Sequence, residues 1–310
     1  MSRCMVTGCA GFVGSHLSEA LLARGHEVIG VDAFIPYYPR ELKARNLSGL
    51  MNHPLFRFNE LDLRNSVPAA LAEGCDVIFH LAAMAGLMMS WNDLKLYSSC
   101  NILATQNLLE AARSCSVPQF IHVSTSSVYG KNATGTEMSP TTPFSPYGIT
   151  KLAAENLCHA YAENFRVPIT ILRYFSVYGP RQRPDMAYNI LICALAGQQT
   201  FKMFGTGEQT RSNTYVADCV EATILAFERR ERALGQTFNI GGGEIISLNR
   251  VIALLEDMTG KSLRIERLPE RPGDQQNTSA NIGKARNLLG YAPKISIREG
   301  LEAQVAWQLR

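Results

Sequence analysis

Tyr147 and Lys151 stand four residues apart in the run Ser-Pro-Tyr-Gly-Ile-Thr-Lys. On a helix this spacing places both side chains on one face. A lysine ammonium beside a phenol favours the phenolate and so lowers the tyrosine pKa. The phenolate can then act as a general base that removes a proton from a hydroxyl group. Because such pairs also occur by chance in helices, other residues must support this interpretation.

Four hydroxyl-bearing residues, Ser-Thr-Ser-Ser, occupy positions 124–127 at the end of an apolar segment. A hydroxyl group at this point can hydrogen-bond the oxygen atom on which a nearby tyrosine acts. The same run can also serve only to cap the end of a strand. The pattern by itself leaves both interpretations open.

Gly8, Gly11 and Gly14 lie where a short apolar segment gives way to helix-period residues. Their spacing allows a tight turn, close approach of the backbone to a pyrophosphate, and close packing of helix on sheet. The helix N-terminus, with Phe12 and Val13 in its first turn, offers free N–H groups to an anion. This context predicts a dinucleotide site, with an ordinary glycine-rich turn as the alternative.

Asp32 ends the second apolar segment, eighteen residues after Gly14. A carboxylate there can accept both ribose hydroxyls of NAD and would repel the 2′-phosphate of NADP. NAD is therefore the predicted cofactor. Arg40, Lys43 and Arg45 follow nearby, so NADP stays open as the minor alternative.

Two further segments are candidates for cofactor contact. Asp62 and Leu63 follow the third apolar segment, and Leu81, Ala82 and Ala83 follow the fourth. Small residues in the second group would let the backbone lie against the nicotinamide side of the cofactor. An aspartate after a strand is also a common turn former, so each signal is weak alone.

Apolar, β-rich segments alternate with helix-period segments over the first 180 residues. The predicted strands are Cys4–Val6, Val28–Val31, Leu55–Phe58, Val77–His80, Phe120–Ser124 and Ile169–Arg173. The helices predicted between them include Ser15–Arg24, Leu94–Ser114 and Thr150–Phe165. This alternation implies βαβ units, and hence an α/β fold with a parallel sheet and right-handed crossovers. Asn46–Asn52 and Ala133–Pro146 are polar or proline-rich and are predicted as loops.

The pattern changes after Pro180, where helices become more prominent and glycine-rich turns separate them. We predict a cofactor-binding domain over residues 1–180 and a smaller, mixed α/β substrate-binding domain over 181–310. The boundary is not sharp, because residues 213–240 can return a helix and a strand to the first sheet.

The composition excludes several classes of protein. Hydrophobic residues make up 46% and charged residues 18% of the chain, so it can bury a core. Thirty Lys and Arg against 27 Asp and Glu give a net charge of +3, which argues against a nucleic-acid partner. We expect no signal peptide and no membrane span. Eight scattered cysteines predict free thiols in a cytoplasmic protein and no metal site.

Together these motifs resemble the extended short-chain dehydrogenase/reductase family, and within it the nucleotide-sugar epimerases and dehydratases. The resemblance covers nearly the whole chain and continues through residues 173–180, 204–211, 215–218 and 271–274. It implies a Rossmann-type, doubly wound parallel sheet that binds NAD, a smaller domain that binds a UDP-sugar, and a reaction site in the cleft between them. It also implies a homodimer in which the helices at 94–114 and 150–165 form a four-helix interface. The alternative is that the apolar faces of these helices are buried within one chain.

The resemblance assigns catalytic roles to three residues. Tyr147 would be the general base, Lys151 would lower its pKa and hold the cofactor ribose, and Thr125 would match the catalytic serine or threonine of the family. Tyr147 and Lys151 thus belong to both the catalytic and the cofactor-binding sets. Further cofactor contacts are expected from Ser124, Tyr174 and Val177.

Two arginines match the residues with which the family grips the sugar diphosphate. These are Arg211 and Arg271. Two guanidinium groups suit two phosphates because each can form bidentate, charge-assisted hydrogen bonds. The alternative is that both are ordinary surface charges.

The residues after Thr125 favour one reaction among those of the family. Epimerases, 4,6-dehydratases and decarboxylases all begin with hydride loss from C4 of the sugar, which gives a 4-keto intermediate. The dehydratases then use Asp-Glu after the threonine, and the decarboxylases usually a glutamate, where this chain has Ser126 and Ser127. Epimerisation needs only the base, the cofactor and room for the sugar to turn over, so it is the predicted reaction.

The run Arg-Gln-Arg-Pro-Asp-Met-Ala at 181–187 is similar to that of UDP-glucuronate 4-epimerases. A 4-keto uronate is a β-keto acid, which decarboxylates readily if its carboxylate swings out of the carbonyl plane. We expect the hydroxyls of Ser126, Ser127 and Ser176 and the guanidinium of Arg183 to hold that carboxylate still. The predicted reaction is therefore the conversion of UDP-glucuronate to UDP-galacturonate.

Three positions depart from the family pattern. Met88 stands where uronate epimerases often have arginine, Ser212-Asn213 replaces Asp-Phe, and Asn281 replaces aspartate. Met88 makes the sugar pocket more apolar, so UDP-glucose and UDP-N-acetylglucosamine 4-epimerisation are the enzyme alternatives. A non-catalytic NAD-binding regulator is the alternative from another class, although the intact catalytic set speaks against it.

Overall fold

The computed structural model describes residues 1–270, 275 and 277–310. Its strands are β1 (Arg3–Thr7), β2 (Glu27–Asp32), β3 (Phe56–Glu60), β4 (Val77–His80), β5 (Phe120–Thr125), β6 (Asn132–Ala133), β7 (Ile169–Tyr174), β8 (Val177–Tyr178), β9 (Thr200–Phe204), β10 (Thr210–Ser212), β11 (Thr214–Tyr215), β12 (Thr237–Ile240), β13 (Ile245–Ser247), β14 (Arg264–Leu268) and β15 (Asn277–Thr278). Its helices are α1 (Phe12–Ala23), α2 (Arg40–Leu47), α3 (Ala69–Ala72), α4 (Leu94–Ser98), α5 (Ala104–Ser114), α6 (Pro146–Phe165), α7 (Ala187–Gly197), α8 (Val216–Glu228), α9 (Arg230–Ala233), α10 (Leu248–Thr259), α11 (Gly283–Leu289) and α12 (Ile297–Gln308).

The main sheet is parallel, and its spatial order is β12-β7-β5-β4-β1-β2-β3. The chain runs outward from β1 to β3, then crosses back to β4 and continues in the opposite direction. The direction therefore reverses between β1 and β4, and a crevice opens outside the carboxyl ends of these two strands. The predicted Rossmann-type, doubly wound sheet is confirmed.

Both faces of the main sheet are buried. In β1 the side chains of Cys4 and Val6 pack into one apolar cluster, and Met5 packs into the other. Helices α1, α2, α8 and α11 contribute side chains to the first cluster, and α3, α5 and α6 to the second. Because parallel strands covered on both faces are apolar at nearly every position, these strands were visible as continuous apolar runs in the sequence.

A smaller cluster of helices and sheets follows. Helices α7, α10 and α12 pack together around Leu191, Leu255 and Leu301. One sheet has the order β13-β10-β15-β6, and β9 pairs with β14. Strand β12 lies at the edge of the main sheet beside β7, so the chain returns to the larger unit before its C-terminal part. The domain boundary at residue 180 stays a prediction.

Three local features differ from the sequence-based expectations. Helix α2 was not predicted and runs into the expected loop Asn46–Asn52, because the Asn46 amide donates to the Ala10 carbonyl (3.0 Å) and Leu47 is buried. The expected helix Leu94–Ser114 contains a π-helical segment at Ser99–Leu103. Helix α6 begins at Pro146, four residues earlier than predicted, because Ser145 caps it.

None of the helices formed by the described residues is long and apolar enough to cross a membrane.

Candidate active site

A cavity of about 600 Å³ opens at the carboxyl ends of the central strands of the main sheet. Such a volume is within the range of small-molecule sites. Its lining contains the residues predicted to bind the cofactor, namely Gly8, Gly11, Phe12, Val13, Gly14, Asp32, Asp62, Leu63, Leu81, Ala82, Ala83, Ser124, Tyr174 and Val177. It also contains Thr125, Tyr147, Lys151, Ser176 and Arg183. The structure therefore brings the predicted catalytic and cofactor residues to one place.

The glycine turn after β1 forms a cradle for an anion. Gly8 has φ +72°, and a Cβ atom there would lie 2.9 Å from the Ala82 nitrogen. A Cβ on Gly14 would lie 2.1 Å from the Gly8 carbonyl oxygen, so the helix can approach the turn this closely only without a side chain. Gly11 caps α1 without a side-chain hydrogen bond, which leaves the N–H groups of the first turn for a ligand.

Two backbone N–H groups hold the carboxylate of Asp32 in one orientation. Its two carboxylate oxygens accept hydrogen bonds from the Ala10 nitrogen (3.2 Å) and the Phe34 nitrogen (2.8 Å). Each oxygen keeps further lone pairs for a ligand hydroxyl. Lys43 lies 3.9 Å from the same carboxylate and also lines the cavity.

The other basic residues near Asp32 have partners away from the cavity. Arg40 makes two hydrogen bonds to Glu60 (2.9 and 2.6 Å), and the Arg45 guanidinium stacks over the Trp307 ring. Neither arginine lines the cavity. This arrangement favours NAD over NADP.

Asp62 forms a bidentate ion pair with Arg64, with N–O distances of 2.6 to 3.0 Å. The Arg64 guanidinium holds the pKa of the Asp62 carboxyl below its usual value. Both residues line the cavity next to Leu63. Asp62 is therefore an ionised carboxylate of fixed orientation in the cavity lining.

The start of α6 places Tyr147 at the cavity. Ser145 accepts a hydrogen bond from the Gly148 nitrogen (3.1 Å), and Pro146 occupies the first helical position, where its missing N–H costs nothing. The Thr125 side chain lies beside Tyr147 and lowers the pKa of its phenol, and its hydroxyl donates to Oγ of Ser127 (3.2 Å). The geometry suits a base and a hydroxyl that act on one sugar oxygen.

Burial raises the pKa of Tyr147, while the side chain of Thr125 and the positive charge of Arg183 oppose that increase. The sequence analysis named the Lys151 ammonium as the charge that lowers this pKa, and that role stays a prediction. Arg183 is a further positive charge that acts on the phenol.

Lys151 lies one turn after Tyr147 and is almost completely buried. Its ammonium lies 3.3 Å from Nε2 of His122, and burial lowers its pKa to about 8. Burial also lowers the pKa of His122 well below its usual value, so the imidazole is neutral and can accept from the ammonium. His80 packs behind it, with ring centroids 5.5 Å apart. A neutral imidazole is thus the polar neighbour of the buried lysine.

Ser124 is the penultimate residue of β5 and lines the cavity. Its Oγ atom is buried and has no hydrogen-bond partner among the described residues. An orphaned hydroxyl group is costly unless a ligand satisfies it. Its place in the cavity lining is consistent with the predicted cofactor contact.

Arg183, Ser176 and the exposed Met88 also line the cavity. The Arg183 guanidinium makes two hydrogen bonds to Asp185, each 2.9 Å long. Met88 brings no polar group to the lining. The cavity therefore combines the Arg183 guanidinium with an apolar side chain.

Three predicted substrate residues that the structure describes, namely Ser126, Ser127 and Arg211, are not in the cavity lining. Ser126 and Ser127 are buried in the turn after β5, where the Ser127 nitrogen donates to the Thr125 hydroxyl (3.1 Å). Arg211 donates to the carbonyl groups of Thr210 and Gln275. Arg271 lies outside the described residues. The assignment of these four to the substrate stays a prediction.

Sequence reasoning missed the roles of several residues at the site. His80 and His122 occupy paired positions in the neighbouring strands β4 and β5, and their place near each strand end was the available signal. Tyr37, Tyr97 and Asp185 come from separate loops and helices and gave no local signal. Their contacts exist only because the fold brings these segments together.

The chain belongs to the NAD dependent epimerase/dehydratase family, whose model matches residues 4–241. A Bacillus subtilis (strain 168) protein with the name "uncharacterized UDP-glucose epimerase" is 46% identical over 98% of this chain and 97% of its own length. A UDP-glucuronate 4-epimerase of Thermodesulfobacterium geofontis is 37% identical over 99% of this chain and 96% of its own. The structure of UDP-glucuronic acid 4-epimerase from Bacillus cereus, in complex with UDP-glucuronic acid and NAD, is 44% identical. It superposes with a TM-score of 0.97 over 99% of both chains.

Proposed function

We propose that this protein is an NAD-dependent isomerase that converts UDP-glucuronate to UDP-galacturonate by epimerisation at C4. The observation that carries the proposal is the presence of Arg183 in the same cavity as the Thr125-Tyr147-Lys151 set. A guanidinium in the cavity favours a sugar that bears a carboxylate. The relatives whose names specify UDP-glucuronate support the same substrate.

NAD fits the residues that line the cofactor end of the cavity. The glycine turn and the first turn of α1 suit a pyrophosphate, and the Asp32 carboxylate suits the hydroxyls of an adenosine ribose. The unpartnered Ser124 hydroxyl provides a further contact. The chemistry that NAD supplies when bound is the reversible acceptance of a hydride.

Proton transfer falls to Tyr147. The phenol oxygen removes the proton of the sugar 4-hydroxyl during oxidation and returns it during reduction. Thr125 orients the same sugar oxygen, because its side chain lies beside Tyr147. The buried ammonium of Lys151 and the guanidinium of Arg183 stabilise the phenolate. Between the two steps the 4-keto sugar turns over inside the cavity.

The carboxylate of the substrate must be held during this rotation. A 4-keto uronate loses CO₂ when its carboxylate leaves the carbonyl plane. We assign the hold to the Arg183 guanidinium and the Ser176 hydroxyl, which line the cavity together. A charge-assisted hydrogen bond is stronger than a neutral one and restricts the orientation of the carboxylate.

The direct test is an NMR time course with purified protein, NAD and UDP-glucuronate. We expect UDP-galacturonate to appear without a pentose product. Tyr147→Phe should reduce turnover by about 10²- to 10⁴-fold while NAD binding persists. Unchanged UDP-glucuronate beside conversion of another UDP-sugar would refute the substrate, and a decarboxylated pentose would identify a synthase instead.

A second candidate is 4-epimerisation of UDP-glucose or UDP-N-acetylglucosamine. Met88 favours it, because this side chain adds apolar surface where uronate epimerases often have arginine. The name of the Bacillus subtilis relative favours UDP-glucose. The ratio of kcat/KM for UDP-glucuronate to that for each neutral sugar separates the candidates, since only the uronate can use the Arg183 charge.

We also propose that the protein is a cytoplasmic homodimer. Its cysteines are all free thiols, which suits a reducing compartment. Three apolar side chains are 45 to 53% exposed, namely Leu103 in the helical segment before α5, and Ile149 and Phe165 on α6. Their exposure suits an interface between two chains. Leu108 and Tyr161, from the same predicted interface helices, are instead buried within the chain.

A further inference from the structure

Three side chains connect the two sides of the cavity opening. Arg183 donates from Nε and Nη2 to the two carboxylate oxygens of Asp185, each at 2.9 Å. The Tyr37 hydroxyl donates to Oδ2 of the same carboxylate at 2.9 Å. Tyr37 belongs to the loop after β2, on the cofactor side, while Arg183 and Asp185 belong to the segment before α7. All three residues line the cavity.

The Asp185 pair leaves one end of the Arg183 guanidinium available. A guanidinium carries five N–H donors in a fixed plane, and Asp185 uses one from Nε and one from Nη2. Among the described residues, no acceptor is bonded to Nη1. The end formed by Nη1 and Nη2 can therefore receive a second carboxylate in a bidentate manner.

Asp185 is itself held in place on the cofactor side. Burial would raise the pKa of its carboxyl, but Arg183 and the Tyr37 hydroxyl hold it below the usual value, so the group stays ionised. The Arg183 guanidinium also lies 5.5 Å from the centre of the Tyr37 ring. Gly86 makes room for Tyr37, since a Cβ there would lie 2.3 Å from the phenol oxygen. Tyr97 fixes this loop through its bonds to the Ala85 and Gly86 carbonyls.

We propose that Asp185, held by Tyr37, is a positioning residue that orients the Arg183 guanidinium for the uronate carboxylate. The proposal rests on the proposed function. Asp185 brings no attraction for the substrate, because its negative charge partly cancels that of Arg183. Its contribution is orientation. Because Asp185 fixes one edge of the Arg183 guanidinium, the opposite edge lies in a defined plane. A substrate carboxylate that pairs with this opposite edge must lie in the same plane. This restriction opposes the rotation that leads to decarboxylation.

The test compares wild type with Asp185→Asn on two substrates, UDP-glucuronate and UDP-glucose. Asparagine keeps the size of the side chain but loses the charge and one acceptor. With UDP-glucuronate we expect kcat to fall about 10- to 100-fold. The KM should stay within about threefold, because the charge of Arg183 is no longer cancelled. The share of decarboxylated pentose product should rise. With UDP-glucose, which has no carboxylate, kcat should change less than with UDP-glucuronate, because only the charge of Arg183 near Tyr147 is altered.

Matched variants separate positioning from a general structural effect. Asp257→Asn changes an exposed aspartate that pairs with Arg298 away from the cavity, and should behave as wild type. Tyr37→Phe removes only the hydroxyl that holds Asp185, and should shift kcat and product ratio in the same direction by about 3- to 10-fold. It also provides the test should Asp185→Asn fail to fold.

The outcomes distinguish this inference from the proposed function. If the wild type does not epimerise UDP-glucuronate, the proposed function fails, and the inference with it. If the wild type does so and Asp185→Asn gives the same kcat and the same product ratio, only the inference is refuted. An equal loss of kcat with both sugars would also refute it, because it would indicate a structural role.

Discussion

Replacing Lys151 by methionine should make the nucleotide-free protein more stable at neutral pH while it destroys catalysis. The lysine ammonium is 3% exposed, and burial lowers its pKa to about 8. This buried charge therefore destabilises the folded protein, whereas the same charge is solvated in the unfolded chain. Methionine fills a similar volume without a charge.

The magnitude follows from the pKa. Lowering the pKa of Lys151 from 10.5 to about 8 corresponds to about 3 kcal/mol, at 1.36 kcal/mol for each pH unit. Below pH 8 the ammonium is present in both states, so the full cost applies. Between pH 8 and 10.5 the folded state has lost the proton that the unfolded chain still binds, so wild-type stability rises with pH. Loss of the hydrogen bond to His122 offsets about 1 kcal/mol of the gain.

The assay is urea denaturation of nucleotide-free wild type and Lys151→Met from pH 7 to 10.5. We expect the variant to be about 2 kcal/mol more stable at pH 7. As the pH approaches 10.5 the difference should change by about 3 kcal/mol, so that the wild type becomes the more stable protein by about 1 kcal/mol. Lys95→Met, which removes an exposed lysine, is the control and should differ from wild type by a constant amount. A constant difference for Lys151→Met as well would refute the argument from burial.

Three further changes test the cofactor site, the core and the interface. Asp32→Asn should weaken NAD binding about 10- to 100-fold and NADP binding less, in fluorescence titrations; an equal factor for both cofactors would contradict the ribose assignment. Glu155→Gln leaves Arg173 buried without its ion-pair partner, so urea denaturation should show that the free energy of unfolding falls by about 3–5 kcal/mol. A decrease below about 1 kcal/mol would contradict the view that this buried ion pair stabilises the core. Leu103→Glu should convert a dimer to monomers in light-scattering measurements, and an unchanged mass would exclude this face.

The sheet and the glycine turn were predictable because their signals are local. A strand buried on both faces is apolar along its length, and β1, β4 and β5 were recognised by that property. The order of the strands then brings their carboxyl ends together at the point where the sheet reverses direction. Residues that follow these strands were therefore expected at one site, and the cavity lining contains most of them.

The polar contacts at the site were not predictable from the sequence, because they join distant segments. Tyr37 and Asp185 are 148 residues apart, and although Asp185 belongs to the run at 181–187, nothing in that run indicates a hydrogen bond with Tyr37. Helix α2 was missed because half of its residues are charged, and it depends on a hydrogen bond from Asn46 to the glycine turn. The π-helical segment before α5 is invisible to a search for the 3.6-residue period.

The cations that line the cavity in the described part of the chain show two arrangements. Three have a carboxylate neighbour, and these pairs are Arg183–Asp185, Arg64–Asp62 and Lys43–Asp32. A paired cation keeps its geometry but attracts anions less strongly, so it is suited to orienting a ligand that must also leave. Lys151 has a neutral imidazole as its neighbour, that of His122. Its charge is shielded from solvent and only partly offset by the carboxylate of Glu155, and a buried charge of this kind acts strongly on a phenolate one helical turn away. The same burial of the charge destabilises the folded protein. The pH dependence of the difference in unfolding free energy between Lys151→Met and wild type therefore measures how much this buried charge destabilises the fold.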